Sequence, residues 1–129
     1  VIESKSKESK GFASLISVKI KSSKGDREVG GTNFAGIGDR LVSIDGFRVN
    51  AEPTGYMLIL SNIDKPGVIG KVGTFLGKHN INVASMEVGR IKIGEKAVMV
   101  INVDSAVSDE VLKGISKLEG IFGATLVKI

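Results

Sequence analysis

From Met57 onwards the chain alternates short apolar runs with two amphipathic stretches, and few folds accommodate that order. Four segments have the apolar content or alternation of β-strands: residues 57–60, 82–88, 97–103 and 124–129. Two have helical spacing: residues 68–79, and a stretch that opens at Ser108 with two acidic residues behind it and stops at Gly120. The order βαββαβ predicts an α+β, ferredoxin-like fold for residues 56–129.

The first predicted helix carries two distinct stripes. One is apolar and comprises Val68, Val72, Phe75, Leu76 and His79, with Ile69 at its edge. The other consists of Gly70, Gly73 and Gly77, although each glycine weakens a helix by about 0.5–1 kcal/mol relative to alanine. The glycine stripe fits close approach by a backbone, a subunit or a ligand, and it equally fits helix–sheet packing within one chain. In the following strand, alternation places Val83, Ser85 and Glu87 on one face.

Residues 1–55 predict a separate segment built from strands alone. Residues 1–10 alternate charges with serines and predict a solvated lead-in. Strands are expected at 12–21, 28–34, 40–44 and 47–50, with turn chemistry at 22–26. Asp45-Gly46 is typical of a type I′ hairpin turn, which needs positive φ at both positions. A small antiparallel sheet of this kind needs a partner layer. The pattern changes after a short connector at residues 52–55, so we expect two parts, residues 1–55 and 56–129.

The composition argues against several classes of function. The chain has no cysteine and a single histidine, so we expect no metal site. The net charge is +4, but nine basic and seven acidic residues fall on each side of the boundary after Gly55, and this even spread argues against nucleic acid. No apolar run approaches the ~20 residues of a membrane span, so we expect no membrane contact and a cytoplasmic protein.

No catalytic motif is complete in this sequence. Gly36-Ile37-Gly38 resembles the start of a dinucleotide fingerprint, but the third glycine is missing and a strand follows, so we expect no cofactor in this chain. His79 lies at the apolar edge of a predicted helix and is interpreted as structural. We therefore expect no catalytic residue here.

A binding site is better supported, at the turn between the first apolar strand and the first helix. Free backbone N–H groups at a helix N-terminus suit a small anion such as a carboxylate. Asp64 beside them can accept hydrogen bonds from an ammonium group, so the turn predicts a clamp for a zwitterion. The alternative is that Asp64 caps the helix and Pro66 starts it.

The segment DKPGVIGKVGTFLGKHNINVASMEVGR (residues 64–90) resembles the ACT domain, a small-molecule regulatory module, and the resemblance extends over residues 57–129. IDGFRV (residues 44–49) and the strands before it are similar to the end of the allosteric substrate-binding domain of long-form D-3-phosphoglycerate dehydrogenases. The resemblance implies a regulatory fragment of these NAD-dependent enzymes of serine biosynthesis, whose catalytic domains lie upstream. Regulatory subunits of iron–sulfur L-serine dehydratases and stand-alone amino-acid sensors are the alternatives, and the upstream sequence would distinguish them.

In that family L-serine binds between the ACT domains of two subunits, so the resemblance implies L-serine as the ligand and a homodimer or a larger assembly. The implied ligand-binding residues are Asn62, Asp64, Pro66, Gly67, Val68, Ile69 and Asn82. Asn62 and Asp64 belong to the loop after the first strand, and Asn82 comes from the facing subunit. Backbone amides around Val68 and Ile69 would meet the carboxylate of the ligand.

These enzymes also have a second proposed site, in which basic residues bind the phosphorylated substrate. Arg40 matches one of its positions, whereas two others fall at Glu52 and Asn102, which cannot supply positive charge. Arg48 lies close to Glu52 in the sequence. Arg40 and Arg48 are therefore the candidates for a possible anion site.

Overall fold

A computed structural model describes residues 2–7, 15–20, 27–34 and 38–129 of the chain. The chain divides into two compact units, Val1–Pro53 and Thr54–Ile129, two residues before the predicted boundary. Each unit is built on its own antiparallel sheet, of five strands in the first and four in the second. Predicted features at 8–14, 21–26 and 35–37, including Gly36 and Ile37, fall outside the described residues.

The first unit is a meander, in which strands that follow one another in sequence are neighbours in the sheet. Its strands are β1 (Ile2–Lys7), β2 (Leu15–Ile20), β3 (Arg27–Phe34), β4 (Gly38–Ile44) and β5 (Phe47–Ala51). The expected solvated lead-in is wrong for β1, which pairs along its whole length with β2, from Ile2 opposite Ile20 to Lys7 opposite Leu15. Strand pairing uses backbone groups that every residue in this segment carries, so a polar sequence does not prevent it.

The hairpin between β4 and β5 turns as the sequence predicts. Asp45 and Gly46 have φ of 51° and 84°, the positive values that a type I′ turn requires. The turn is also tied to β3, because Glu28 N–H donates to Asp45 Oδ1 at 2.8 Å and Asp45 N–H donates to the Glu28 carbonyl at 2.6 Å. This hairpin carries both arginines of the possible anion site.

The second unit has the predicted ferredoxin-like order. Its elements are β6 (Tyr56–Ile63), α1 (Val68–Lys78), β7 (Val83–Arg90), β8 (Lys96–Val103), α2 (Asp109–Ser116) and β9 (Ile121–Lys128). The sheet order is β7-β8-β6-β9, so β6 is central and leads directly into α1. Ser108 caps α2 as expected, its Oγ accepting from Val111 N–H at 3.3 Å.

The core of the second unit lies between the sheet and both helices. Its buried members are Leu58, Leu60, Val68, Val72, Leu76, Ile81, Met99, Ile101, Val103, Val107, Ile115 and Ile121. Along β6 the strand period of two places Leu58 and Leu60 in this core, opposite Ile101 and Met99 of β8. Asn62 is the next residue of that series, which puts it on the helix side of the sheet beneath the start of α1.

The apolar stripe of α1 is confirmed for Val68, Val72 and Leu76, all of which are buried. His79 does not lie in the core: it is exposed and follows the helix as its C-cap. Its Nδ1 lies 2.9 Å from the carbonyl oxygen of Phe75, and the two ring centroids are 4.4 Å apart. The imidazole of His79 therefore packs against the last turn of α1.

A bulge in β7 overturns the predicted face of that strand. Val83 lies opposite Val103, but Ser85, two residues on, lies opposite Asn102, so Ala84 is the extra residue. The alternation changes phase there, and Met86 and Val88 join Val83 against the core. Ser85 lies on the opposite face, where its Oγ donates to Asn102 Oδ1 at 2.9 Å.

Candidate ligand-binding site

The candidate site lies where β6 ends and α1 begins. The connecting loop is held from two sides: Ile63 N–H donates to the Gly120 carbonyl and Asp64 N–H to the Glu95 carbonyl, both at 2.8 Å. The first bond ties the loop to the α2–β9 connection, and the second ties it to the turn between β7 and β8. The backbone that presents Asp64 is therefore fixed before any ligand binds.

The Asp64 carboxylate has two partners in the β7–β8 region. Its Oδ2 accepts from Arg90 Nη1 at 3.0 Å and from Gly94 N–H at 3.2 Å, whereas Oδ1 has no hydrogen-bond partner among the described residues. The Arg90 hydrogen bond, followed by the Gly94 N–H, lowers the pKa of Asp64 below its usual value. Asp64 is thus a fixed anion with one oxygen unengaged. Arg90 was missed by sequence reasoning because it lies 26 residues further along the chain.

Asp64 and Pro66 do not have the helix-starting roles of the alternative interpretation. The N-cap of α1 is Gly67, which has φ of 89° and makes no side-chain capping hydrogen bond. Only a residue that tolerates the left-handed region fits there, and glycine does so without strain. Pro66 and Gly67 are both exposed, in the turn that precedes the helix.

Two backbone N–H groups are free at the start of α1. Val68 N–H donates to the Lys65 carbonyl at 3.4 Å, and Lys71 N–H donates to the Gly67 carbonyl at 3.0 Å. Between them, Ile69 and Gly70 donate to no carbonyl in the described part of the chain. The free amides are therefore one residue further into the helix than expected. Together with the helix dipole, they suit a carboxylate.

Asn62, the second-last residue of β6, is buried, with 2% of its surface exposed. Its Nδ2 donates to the adjacent Ile63 carbonyl at 3.0 Å, but its Oδ1 is buried with no hydrogen-bond partner in the described residues. Burial of a polar atom without a partner destabilises a fold. A ligand donor would relieve that cost.

Asn82 lies at the opposite end of α1 from Asp64. It follows the C-terminus of the 11-residue helix, which spans about 16 Å. Its Nδ2 donates to Asp104 Oδ2 at 2.7 Å. Within one chain, Asn62, Asp64 and the free amides of α1 all lie at or beside the β6–α1 connection, whereas Asn82 lies at the other end of the helix.

The glycine stripe of α1 faces open space. A Cβ added at Gly70, Gly73 or Gly77 would meet no heavy atom within 4 Å among the described residues. Packing within the described residues therefore does not require glycine at these positions. Close approach by a backbone, a subunit or a ligand stays a prediction for this stripe.

The possible anion site lies on the β4–β5 hairpin. Arg40 donates from Nε to Asn50 Oδ1 at 2.8 Å and from Nη2 to the Asn50 carbonyl at 3.4 Å. Arg48 is exposed on β5, opposite Ser43. Asn50 thus engages one of the two guanidinium groups, and the anion site stays a prediction.

Two other features bear on function. The described ranges contain no cluster of three or more histidine, aspartate or glutamate side chains arranged to hold a metal ion. Neither described helix has the length and hydrophobicity that a membrane span requires.

Comparison with known families identifies the second unit. The ACT domain model matches residues 56–120, half of the chain. The chain belongs to the ACT domain family. The match begins at the first residue of β6 and contains the whole loop around Asp64, so the candidate site lies within the ACT domain.

Individual relatives extend the similarity into the first unit. This chain is 41% identical to a D-3-phosphoglycerate dehydrogenase of Archaeoglobus fulgidus over 129 residues. The aligned region covers 98% of this chain and 24% of the relative. It is 34% identical to the Bacillus subtilis D-3-phosphoglycerate dehydrogenase over 119 residues, covering 92% and 23%. The chain thus spans about a quarter of the length of these enzymes and is homologous to their C-terminal, ACT-containing region.

A relative of another class is also similar. The probable L-serine dehydratase β chain of Bacillus subtilis is 33% identical over 110 residues, which is 85% of this chain and 50% of the relative. The ACT module and the segment before it are therefore similar to parts of two different kinds of protein, a D-3-phosphoglycerate dehydrogenase and a probable L-serine dehydratase β chain.

Proposed function

We propose that the chain is an amino-acid-sensing regulatory module of a D-3-phosphoglycerate dehydrogenase, with L-serine as its ligand. The observation that carries the proposal is an anion and a set of hydrogen-bond donors at the start of α1: the ionised Asp64 carboxylate, and the free N–H groups of Ile69 and Gly70. An α-amino acid carries the matching groups, an ammonium and a carboxylate, on the same carbon atom. The homology to dehydrogenases supports the choice of enzyme.

In the proposed complex each end of the ligand has its own partner. The carboxylate of the ligand accepts from the Ile69 and Gly70 amides, and its ammonium donates to Asp64. The unpartnered Oδ1 of Asn62 is the acceptor available for the ligand hydroxyl once the amide turns towards it. Pro66 and Gly67, both exposed, would border the bound ligand on the solvent side.

Asn82 enters the proposed site from a second copy of the chain. It is exposed, and it lies about one helix length from Asp64 of its own chain. A twofold pair would place the start of one α1 beside the end of the other. We therefore propose at least a homodimer, with the open glycine stripe of α1 as the surface that permits close approach.

In this proposal, other domains of the parent enzyme, which are not part of this sequence, would catalyse the oxidation of 3-phosphoglycerate with NAD. We expect no NAD site in this chain, because its Gly36-Ile37-Gly38 lacks the third glycine of a dinucleotide fingerprint. Arg40 and Arg48 remain candidates for an anion site on the first unit, although Arg40 is engaged by Asn50.

The second candidate function is the regulatory chain of an L-serine dehydratase, which the 33% identity to the Bacillus subtilis β chain favours. Both proposals predict a serine site at Asp64, and they differ in the enzyme that the site regulates. A dinucleotide fingerprint in the preceding sequence of the parent would select the dehydrogenase.

The test is thermal shift and calorimetry of the 129-residue chain with L-serine, D-serine, glycine, L-alanine and glycerate. Glycerate is the matched probe, because it has the carboxylate and hydroxyl groups of serine without the ammonium. We expect L-serine to raise the melting temperature in a saturable way and glycerate to have no effect. Equal responses to the two, or no response to any amino acid at millimolar concentration, would contradict the proposal.

A further inference from the structure

We propose that Arg90 is the resident counter-ion of Asp64, and that a bound amino acid replaces it there through its ammonium group. Ligand binding would then break the Arg90–Asp64 ion pair and release the guanidinium. This inference rests on the proposed function and concerns the regulation of the same site.

The geometry makes Arg90 the exchangeable partner. Its Nη1 lies 3.0 Å from Asp64 Oδ2, and the side chains are 51% and 21% exposed, respectively. The side chain of Arg90 is thus the better solvated member of the pair. Exposed ion pairs contribute little to stability, so its return to water costs little.

The rest of the arrangement stays in place when Arg90 leaves. Gly94 N–H still donates to Oδ2 at 3.2 Å, and Asp64 N–H still donates to the Glu95 carbonyl at 2.8 Å. The carboxylate therefore keeps its position while one cation replaces the other. An ammonium on Oδ1 beside a guanidinium on Oδ2 would place two like charges within a few ångströms, which disfavours joint occupancy.

Replacement of the Arg90 guanidinium by the ligand ammonium at Asp64 would change the protein surface next to the site. Arg90 is the last residue of β7, and the turn that follows carries Ile91 and Ile93, which are 71% and 80% exposed. A released guanidinium adds an unpaired positive charge beside these two apolar side chains. The ligand would thereby produce a bound state with a different exposed surface, which is what a regulatory module needs in order to report occupancy.

The experiment compares Arg90→Ala, Arg90→Lys and Lys92→Ala with the unmodified chain, by calorimetric titration with L-serine. Arg90→Ala removes the competing cation, so we expect binding about two- to fivefold tighter. Arg90→Lys keeps a competing cation and is expected to bind almost as the unmodified chain does. Lys92→Ala removes one charge from the same turn without touching Asp64, and it is expected to leave the affinity unchanged.

A second measurement does not depend on a variant. The side-chain ¹⁵Nε signal of Arg90 in the unmodified chain is expected to move towards the position of a free arginine as L-serine is added. A signal that stays in place, or Arg90→Ala binding that is unchanged or weaker, overturns the inference while the proposed function stands.

The two proposals fail in different ways. If no variant binds any amino acid, the proposed function and the exchange that rests on it are both wrong. If only Arg90→Ala binds L-serine, the proposed function is wrong for the natural chain, whereas the competition by Arg90 is supported.

Discussion

Asn82 and Asp104 are joined by two hydrogen bonds. Asn82 Nδ2 donates to Asp104 Oδ2 at 2.7 Å, and the Asp104 N–H donates to the Asn82 carbonyl at 3.2 Å. This pair fixes an exposed amide at the start of β7, whereas Asp64 lies at the other end of α1. A ligand that contacts both residues therefore requires two chains.

This separation predicts complementation between variants. We expect Asp64→Asn and Asn82→Ala each to lose most L-serine binding alone. Mixing them in equal amounts creates dimers in which one of the two sites has both natural residues, so about one quarter of all sites should recover. Calorimetric stoichiometry of the mixture, after unfolding and refolding together, measures that fraction. Recovery of no sites, or a strictly monomeric chain that still binds serine, would contradict the shared site.

The charge of Asp64 is expected to dominate affinity. Asp64→Asn keeps the shape of the side chain but removes the anion, and we expect L-serine to bind about 10- to 100-fold more weakly. Asp109→Asn is the matched control, because Asp109 lies in the first turn of the other helix. Titration calorimetry would measure both variants. Equal affinities for the two would remove Asp64 from the site.

The Arg90–Asp64 pair predicts a pH dependence of stability. Because Arg90 and Gly94 N–H lower the pKa of Asp64, the unfolded state binds its proton more readily than the folded state does. The stabilising contribution is thus fully present above the ordinary aspartate value of about 4 and is lost as the pH falls through the lowered folded value. Urea unfolding of the natural chain and of Asp64→Asn at a series of pH values should show their difference shrinking in that acidic range. A difference that is independent of pH would contradict the ion pair.

Gly120 is expected to be intolerant of substitution. It has φ of 92°, and an added Cβ would lie 2.9 Å from Val68 Cγ2 and 3.1 Å from Ile63 Cγ2. We expect Gly120→Ala to lower the free energy of unfolding by about 1–3 kcal/mol. Gly123 lies on β9, where an added Cβ would meet no atom of the described part of the chain within 4 Å, so Gly123→Ala should change this free energy by less than about 0.5 kcal/mol. Denaturant unfolding of the two variants makes the comparison.

In the glycine stripe of α1, substitution by alanine is expected to raise the free energy of unfolding. A Cβ at Gly73 meets no heavy atom of the described residues within 4 Å, so Gly73→Ala should stabilise the fold by about 0.5–1 kcal/mol through helix propensity. At Gly114 the Cβ would lie 2.5 Å from Phe75 Cζ, and that variant should not show the gain. Urea unfolding compares them, and sedimentation measures whether Gly73→Ala weakens dimerisation. At a concentration at which the chain is monomeric, loss of stability in Gly73→Ala would contradict this prediction.

The order of elements in the second unit was predictable because each of its strands and helices carries its own local signal. Apolar runs marked β6, β8 and β9, and Ser108 with its acidic neighbours marked the start of α2. β1 was not predicted because this segment is a strand through its pairing with β2, and the composition of its own residues does not indicate one. The face of β7 was wrong because a bulge at Ala84 leaves no mark in the period of two.

The candidate site was predictable only in part, for a related reason. Backbone amides at a helix start are a local property, so the loop around Asp64 could be recognised from sequence. Its partner Arg90 becomes visible only when the β7–β8 hairpin folds back beside that loop. This long-range contact also determines which carboxylate oxygen of Asp64 already accepts a hydrogen bond.

The buried amide of Asn62 has a consequence for engineering this fold. A leucine of similar size would leave no oxygen without a donor, and we expect Asn62→Leu to make the domain more resistant to heat and urea. The most stable form of this domain would therefore be one that lacks the side-chain oxygen of Asn62, the acceptor proposed for the ligand hydroxyl. Thermostability screens of such domains should accordingly score ligand response beside melting temperature, since the two are expected to diverge at this one position.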